Sequence, residues 1–132
     1  MRLSLSLPIT FLLIYFNFYL DILPDGYWAQ DRSKETITKT MENSLCFGVF
    51  DGEKQIAFAR VITDYVTTYY ACDIIVDAAY RGQGIGKALV GYLVAYPALR
   101  SLKGILATRD AHELYRQFGF QNADGNTMIK RT

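Results

Sequence analysis

Residues 73–90 read DIIVDAAYRGQGIGKALV, and this stretch predicts an apolar strand, a glycine-rich turn and the start of a helix. The β-branched run Ile74–Val76 favours a strand. Beyond the glycines, apolar side chains recur at helical spacing, at Ile85, Leu89, Val90, Leu93 and Val94. Because such a turn directs several backbone N–H groups of a helix N-terminus toward one spot, the stretch predicts a phosphate-binding site.

The glycine spacing excludes two common phosphate motifs. The interval from Gly82 to Gly86 is one residue too short for a P-loop, and Ala88 lacks the hydroxyl that would bind magnesium. A dinucleotide fingerprint would need its third glycine where the chain has Lys87 or Leu89. On these residues alone, a glycine-rich turn without a ligand remains open.

Composition predicts a single globular domain over residues 1–132, long enough to bury a core. The net charge is +1 and no basic tract stands out, so nucleic acid is not an expected partner. Cys46 and Cys72 are isolated in apolar surroundings, which predicts buried thiols and a reducing, cytoplasmic compartment. With two cysteines and one histidine, the sequence predicts no metal site.

The N-terminal segment is strongly apolar, and residues 3–20 carry no charged side chain. A signal peptide would need a more basic start than Arg2 and a small-x-small cleavage site. A membrane anchor over residues 3–20 is a second hypothesis, although Pro8 interrupts the run. We favour a folded segment, with a half-buried strand over Leu3–Leu7 and a helix from Pro8 to Leu23.

The middle of the chain predicts one helix and an antiparallel meander. The helix spans residues 33–42, is capped by Ser33 and turns Ile37 and Met41 inward. Strands are predicted at residues 45–50, 55–63, 69–76 and 104–107, with a hairpin turn at Asp51–Lys54 and a last strand ending at residues 128–129. Antiparallel strands followed by a strand–turn–helix unit predict an α/β (α+β) fold with a mixed sheet.

A second informative stretch is TRDAHELYRQFGF at residues 108–120. Asp110 is predicted to cap a helix, with Glu113 as its capping-box partner. The helix would bury a stripe of side chains formed by Ala111, Leu114, Tyr115 and Phe118. Gly119 is predicted to end the helix.

The two stretches together resemble one known family. The pattern R-x-x-G-x-G at residues 81–86 resembles the acetyl-CoA pyrophosphate loop of the GNAT superfamily of N-acetyltransferases. The pattern A-x-x-L-Y-x-x-F-G-F at residues 111–120 looks like the second half of the same site, in the right order. The resemblance covers residues 27–120 and departs over residues 1–20. It implies a mixed, largely antiparallel central sheet with a splayed strand pair and helices on both faces.

The resemblance implies an acetyl-CoA site built from both stretches. Backbone groups of the strand would pair with the pantetheine arm, and Val76 N–H would also polarise the acetyl carbonyl. Tyr115 would protonate the departing thiolate, and plain core packing is its alternative role. The full set of residues implied for acetyl-CoA is Ile74, Ile75, Val76, Arg81, Gly82, Gln83, Gly84, Ile85, Gly86, Lys87, Thr108, Asp110, Ala111 and Tyr115.

The base that deprotonates the acceptor is open among Asp73, Asp64 and a chain of waters. Burial beside Ile75 would raise the pKa of Asp73, which suits a base. An ion pair with Arg60 is the structural alternative. The acceptor is expected to be a small-molecule or peptide amine that is contacted by Tyr27, Trp28, Arg32 and Asp64.

These residues predict an acetyl-CoA-dependent N-acetyltransferase that moves the acetyl group directly to a primary amine, without a metal. Two alternatives stay open: a catalytically weak CoA-binding regulatory module, and a membrane-tethered acetyltransferase anchored by residues 3–20. The apolar N-terminal segment and an aromatic-rich surface also favour a homodimer.

Overall fold

A computed structural model of the protein describes residues 32–123 and 125–132. The elements in these residues are α1 (Lys34–Glu42), β1 (Leu45–Asp51), β2 (Lys54–Thr63), β3 (Thr68–Val76), a 3-10 helix (Ala78–Tyr80), α2 (Ile85–Ala95), β4 (Lys103–Leu106) and α3 (His112–Arg116). The strands form one sheet in the order β1-β2-β3-β4. The first three strands are antiparallel and β4 is parallel to β3, which confirms the mixed, largely antiparallel sheet.

Most element boundaries agree with the sequence-based prediction to within two residues. The last predicted strand is wrong, because Met128 and Ile129 lie in irregular chain and are 94% and 66% exposed. Residues 3–23 lie outside the described part of the chain. The strand and helix predicted there therefore stay predictions, as does the membrane-anchor hypothesis. Within the described part, no helix is both long and apolar enough to cross a membrane.

One face of the sheet packs against α2. Phe47 on β1 and Ala59 on β2 lie opposite each other, and small side chains on this face let the helix approach closely. Leu89 and Leu93 of α2 are almost completely buried there. The apolar residues after the glycines recur at helical spacing, so they form one face of α2, and the sheet covers this face.

The opposite face carries Phe58, Arg60 and Cys46, and α1 lies beside it. Ile37 and Met41 are buried, as predicted from their spacing. The Cys46 thiol donates to the Met41 carbonyl at 3.9 Å, which places the end of α1 at this face. Phe58, on this face, has no solvent exposure.

Strands β3 and β4 separate where the site begins. Their parallel pairing runs from Thr68 and Lys103 to Ala71 and Leu106, where β4 ends. Strand β3 continues to Val76, and within the described residues no strand pairs with this edge. The splayed strand pair is thus present, and it opens a cleft between the two strand ends.

Gly104 tests how tightly β3 and β4 pack. A Cβ on Gly104 would lie 2.6 Å from the ring of Tyr69, its partner in the pairing, and that ring is buried. We expect Gly104→Ala to lower the free energy of unfolding by about 1–3 kcal/mol, because the ring must shift within a packed core. Urea-induced unfolding measures the change.

Gly86→Ala is the matched control. Its added Cβ would meet Val76 Cγ2 at an ordinary contact distance of 3.7 Å. Alanine is the better helix former by up to about 1 kcal/mol, so Gly86→Ala should leave stability unchanged or raise it. Equal losses in both variants would contradict the packing interpretation.

Candidate active site

The glycine turn presents an uncapped helix N-terminus. Gly84 is the N-cap of α2, with φ +80°, and glycine has no side chain that could cap the helix. The first backbone bond of the helix joins Ala88 N–H to the Gly84 carbonyl at 3.0 Å. The amides of the residues between them, which open the helix, have no intrahelical acceptor in any α-helix. Since α2 is 11 residues long, its dipole adds positive potential at this exposed turn.

The unpaired edge of β3 leads from the cleft to this turn. Asp77 N–H donates to the Ile56 carbonyl at 2.8 Å, so its backbone points toward β2. By strand alternation, the backbone groups of Val76 and Ile74 point the other way, into the gap beside β4. Arg81 Nε donates to the Val76 carbonyl at 3.3 Å, which joins the turn to this edge. An extended chain laid along the edge would therefore reach the helix N-terminus.

A β-bulge bends β3 at the cleft. Phe58 lies opposite Ile75 and Arg60 opposite Cys72, so β3 has one residue more than β2 in this interval. Asp73 adopts φ +50°, a left-handed conformation that aspartate tolerates better than most residues. The bulge brings the side chains of Cys72 and Asp73 to the same face of the sheet.

The Asp73 carboxylate binds two arginines. Its Oδ2 accepts hydrogen bonds from Arg32 Nη1 at 2.7 Å and from Arg60 Nε at 2.9 Å. The carboxylate side chain is only 2% exposed, and Arg60 is held further by donating from Nη1 to Ser44 Oγ at 3.0 Å. The structural alternative proposed for Asp73, pairing with Arg60, is therefore present.

The raised pKa predicted for Asp73 is wrong. Burial does raise the pKa of this carboxyl group, but the hydrogen bonds and charges of Arg32 and Arg60 outweigh burial and lower the pKa below its ordinary value. A carboxylate stabilised in its ionised form is a weak proton acceptor. The geometry therefore favours a positioning role for Asp73 over the role of general base.

Asp64 holds the turn between β2 and β3. Its carboxylate accepts hydrogen bonds from the backbone N–H groups of Val66, Thr67 and Thr68 and from the Thr67 hydroxyl, at 2.6 to 3.3 Å. The Thr67 side chain contributes most to lowering the pKa of Asp64 below its ordinary value. This arrangement explains the residue without a ligand, and its predicted contact with the acceptor stays a prediction.

A cleft of about 540 Å³ lies between the separated ends of β3 and β4. It brings together several residues that the sequence assigned to the site, namely Arg32, Asp73, Ile74, Thr108, Asp110, Ala111 and Tyr115. It also includes residues without a predicted site role, among them Arg60, Ile62, Cys72, Arg109 and Arg131. The period-two pattern of β2 was the available signal for two of these, because it places Arg60 and Ile62 on one face.

The segment after β4 differs from its prediction. Helix α3 is five residues long and follows Ala111, whose methyl group cannot accept a hydrogen bond, so Asp110 is not the N-cap. Thr108 Oγ1 instead accepts from Ala111 N–H at 3.1 Å. The side chains predicted to form a buried stripe on this helix are only half-buried, namely Ala111, Leu114, Tyr115 and Phe118. Tyr115 contacts Phe120 edge to face at 6.0 Å between ring centres and lines the cleft.

The two cysteines are free thiols, and they differ in exposure. Cys46 is buried as predicted, whereas Cys72 is half-buried and lines the cleft. Burial is the main cause that raises the pKa of Cys46 to about 12 and that of Cys72 to about 11. Both thiols are therefore protonated at neutral pH, which disfavours Cys72 as an acyl carrier.

The predicted glycine-turn residues lie together at the end of β3, away from the cleft lining. Gly82, Gln83 and Gly84 are exposed, as are the side chains of Arg81 and Lys87. Tyr27 and Trp28, which were predicted to contact the acceptor, lie outside the described residues.

Comparison with known proteins identifies the family that this fold and site define. Residues 42–122, more than half of the chain, match the family model described as an acetyltransferase (GNAT) domain. The chain therefore belongs to the GNAT acetyltransferases, which are acyltransferases.

Individual relatives agree with this assignment. A Xanthomonas campestris protein of the GNAT family has a crystal structure that matches with a TM-score of 0.87 at 36% identity, over 100% of this chain and 94% of that one. The chloroplastic GCN5-related N-acetyltransferase 2 of Arabidopsis thaliana is 37% identical over 78 residues, which are 54% of this chain and 30% of that protein. This chain thus spans less than a third of that relative's length. A predicted acetyltransferase from Clostridium acetobutylicum, crystallised with acetyl-CoA, shares the fold at 15% identity, with a TM-score of 0.72 over 96% of this chain and 94% of that one.

Asp73→Asn should destabilise the protein strongly. The substitution removes the charge that compensates two partly or fully buried guanidinium groups. We expect a loss of about 3 kcal/mol or more in the free energy of unfolding, measured by urea denaturation at pH 7. Asp64→Asn, at an exposed turn, is the matched control and should cost less. A larger loss in the control would contradict the assigned role of Asp73.

The contribution of Asp73 should depend on pH in one direction. Because its folded pKa is lowered, the carboxylate adds stability above its unfolded pKa of about 3.9 and loses this as the pH falls through the folded pKa. The difference in unfolding free energy between wild type and Asp73→Asn should therefore narrow below about pH 4. A difference that widens on acidification would show that the folded pKa is raised instead.

Proposed function

We propose that the protein is an acetyl-CoA-dependent N-acetyltransferase that transfers the acetyl group directly to a primary amine. The observation that carries this proposal is the edge of β3 beyond Ala71, with which no strand in the described part of the chain pairs. It runs from the uncapped helix N-terminus at Gly84 to a cleft that contains Tyr115. These three parts correspond to what the reaction needs: a phosphate site, a path for an extended arm, and a proton donor near the reacting atoms.

The chain offers acetyl-CoA two kinds of contact. The first amides of α2 and the helix dipole would hold the pyrophosphate, and Arg81 and Lys87 add positive charge beside them. The backbone groups of Ile74 and Val76 that face the gap would pair with the pantetheine arm as a neighbouring strand does. The Clostridium acetobutylicum structure supports acetyl-CoA as the co-substrate, because that protein shares the fold and was crystallised with it.

Two groups would then act on the transferred acetyl group. The Val76 N–H, directed into the gap, would polarise the carbonyl as the amine attacks it. The Tyr115 hydroxyl would give its proton to the departing thiolate, for which a phenol is well matched in acidity. Direct attack by the amine is favoured over a cysteine intermediate, since the Cys72 thiol has a raised pKa.

Deprotonation of the acceptor does not need Asp73 as a base. The ion pairs with Arg32 and Arg60 keep the Asp73 carboxylate in its ionised form, which makes it a weak proton acceptor. The proton can then leave through water, which was one of the three routes open from the sequence.

The cytoplasmic location, the homodimer and the single domain over residues 1–132 remain predictions from the sequence.

Gly84→Ala tests the phosphate site. It should weaken acetyl-CoA binding about tenfold or more, because the positive φ of +80° disfavours a Cβ and the helix N-terminus must shift. Gly52→Ala, in the β1–β2 hairpin with φ +62°, carries the same strain at a distance and should leave affinity unchanged. Isothermal titration calorimetry with acetyl-CoA measures both. Equal affinities in the two variants would remove the turn from the binding site.

Tyr115→Phe tests the proton donor. We expect kcat to fall about a hundredfold or more with little change in acetyl-CoA affinity, because only the leaving thiolate needs the hydroxyl. Tyr92→Phe, which removes a hydroxyl from the exposed side of α2, is the control. Thiol release with a panel of amines gives the rates. Unchanged rate and affinity would contradict the role of Tyr115, and acetyl-CoA binding without transfer to any amine would favour the CoA-binding module.

A further inference from the structure

Gly91 lies in the middle of α2, where glycine is an unfavourable residue. Glycine destabilises a helix interior relative to alanine, because it loses more backbone freedom on folding. The structure shows a close packing partner at this position. A Cβ on Gly91 would lie 3.2 Å from Phe118 Cε1 and 3.5 Å from its Cζ. The Phe118 ring therefore packs directly on the backbone of α2, at a place that a side chain would occupy.

The helix that carries Tyr115 is short and partly exposed. Helix α3 has five residues, and every one of them is at least partly exposed. Because so short a helix is marginal without tertiary contacts, its place depends on the chain on either side. On the N-terminal side, Ala111 N–H donates to Thr108 Oγ1 at 3.1 Å. On the C-terminal side, Phe118 contacts α2 and Phe120 packs against the core.

Backbone hydrogen bonds connect Phe118 to Tyr115. The Tyr115 carbonyl accepts from Phe118 N–H at 3.0 Å and from Phe120 N–H at 3.3 Å. The Phe120 ring also contacts the Tyr115 ring edge to face. Phe118 is half-buried, so its ring can give way to a new contact without unfolding the core. A displacement of Phe118 is therefore passed to the backbone of Tyr115.

We infer that Gly91 is a positioning residue for the proton donor. Its missing side chain lets Phe118 pack on α2, and this contact sets the place of Tyr115 in the cleft. The inference rests on the proposed role of Tyr115 and adds the residue that positions it. Proton transfer requires the donor within hydrogen-bond reach of the leaving sulfur, so a small displacement of the phenol slows the reaction. Helix α2 would thus both bind the pyrophosphate and hold the segment that carries the donor.

Gly91→Ala tests the inference. Its methyl group should displace the Phe118 ring and with it Tyr115. We expect kcat to fall about tenfold, whereas the Kd for acetyl-CoA should stay within about twofold of wild type. Thiol release at saturating acetyl-CoA gives kcat, with benzylamine, L-lysine and spermidine as acceptors, and calorimetry gives Kd. A general loss of structure would change both quantities, so this split separates positioning from stability.

Two further variants assign the effect to this contact. In a Tyr115→Phe background, Gly91→Ala should lower kcat no further, because the hydroxyl that it displaces is already absent. Phe118→Leu should lower kcat by loosening the contact with α2. The double variant Gly91→Ala/Phe118→Leu should be faster than Gly91→Ala, because the smaller side chain makes room for the methyl group. Thermal unfolding of each variant monitors folding, and Phe118→Leu keeps the inference testable if Gly91→Ala does not fold.

The position of Tyr115 can also be followed without an acceptor, by NMR of protein that contains isotope-labelled tyrosine. The ring signals of Tyr115 are identified by their loss in Tyr115→Phe. They should shift in Gly91→Ala, because the ring moves relative to the Phe120 ring beside it. The signals of Tyr65, in the exposed turn between β2 and β3, are identified by Tyr65→Phe and should stay in place.

The outcomes separate this inference from the proposed function. Unshifted Tyr115 signals or an unchanged kcat in folded Gly91→Ala would overturn the inference and leave acetyl transfer intact. A rise in Kd as large as the fall in kcat, or an equal further loss of kcat in the Tyr115→Phe background, would also overturn it. If no amine is acetylated and calorimetry detects no acetyl-CoA binding, the proposed function is contradicted, while the tyrosine signals still decide whether Gly91 sets the place of Tyr115.

Discussion

The buried carboxylate of Asp73 connects the parts of the protein that form the cleft. It lies at the bulge of β3 and binds Arg60 on β2 and Arg32 ahead of α1, at 2.9 and 2.7 Å. Burying these charges is costly unless they are paired, so the three side chains depend on one another for their positions. Arg60 extends the connection to Ser44, where α1 passes into β1. The sheet and the segment before α1 are thus joined by ionic contacts as well as by apolar packing.

The shape of β3 determines what the rest of the site can do. The bulge at Asp73 bends the strand where its pairing with β4 ends, and no strand among residues 32–123 and 125–132 pairs with the edge beyond it. At the far end of that edge, the glycine turn starts α2 without a capping side chain. On the other side of the gap, the short helix α3 supplies Tyr115. A helix dipole, an open strand edge and a phenol are thereby arranged along one path.

Local sequence predicted the elements well wherever one short-range rule controls the structure. Helical spacing after Gly84 and the Asp51–Lys54 hairpin were confirmed, because each depends on neighbours a few residues apart. The bulge at Asp73 had no such signal, since an extra residue shows only when two paired strands are compared. The pKa of Asp73 was predicted in the wrong direction for a related reason. Burial and a possible ion pair with Arg60 could be inferred from the sequence, but Arg32, the second partner, is 41 residues away in the chain.

The sequence by itself determined the strand, the glycine turn and the helix of residues 73–90, and through their resemblance the family to which the chain belongs. Glycine, β-branched and apolar residues impose these features through local sterics and periodic burial, which need no distant partner. The tertiary structure alone decided which side chains meet in the cleft. In the described part of the chain, Arg32, Arg60 and Asp73 come from separate elements and meet at the cleft only in the folded protein. The glycine turn is thus determined by consecutive residues, whereas the cleft is formed by residues that only folding brings together.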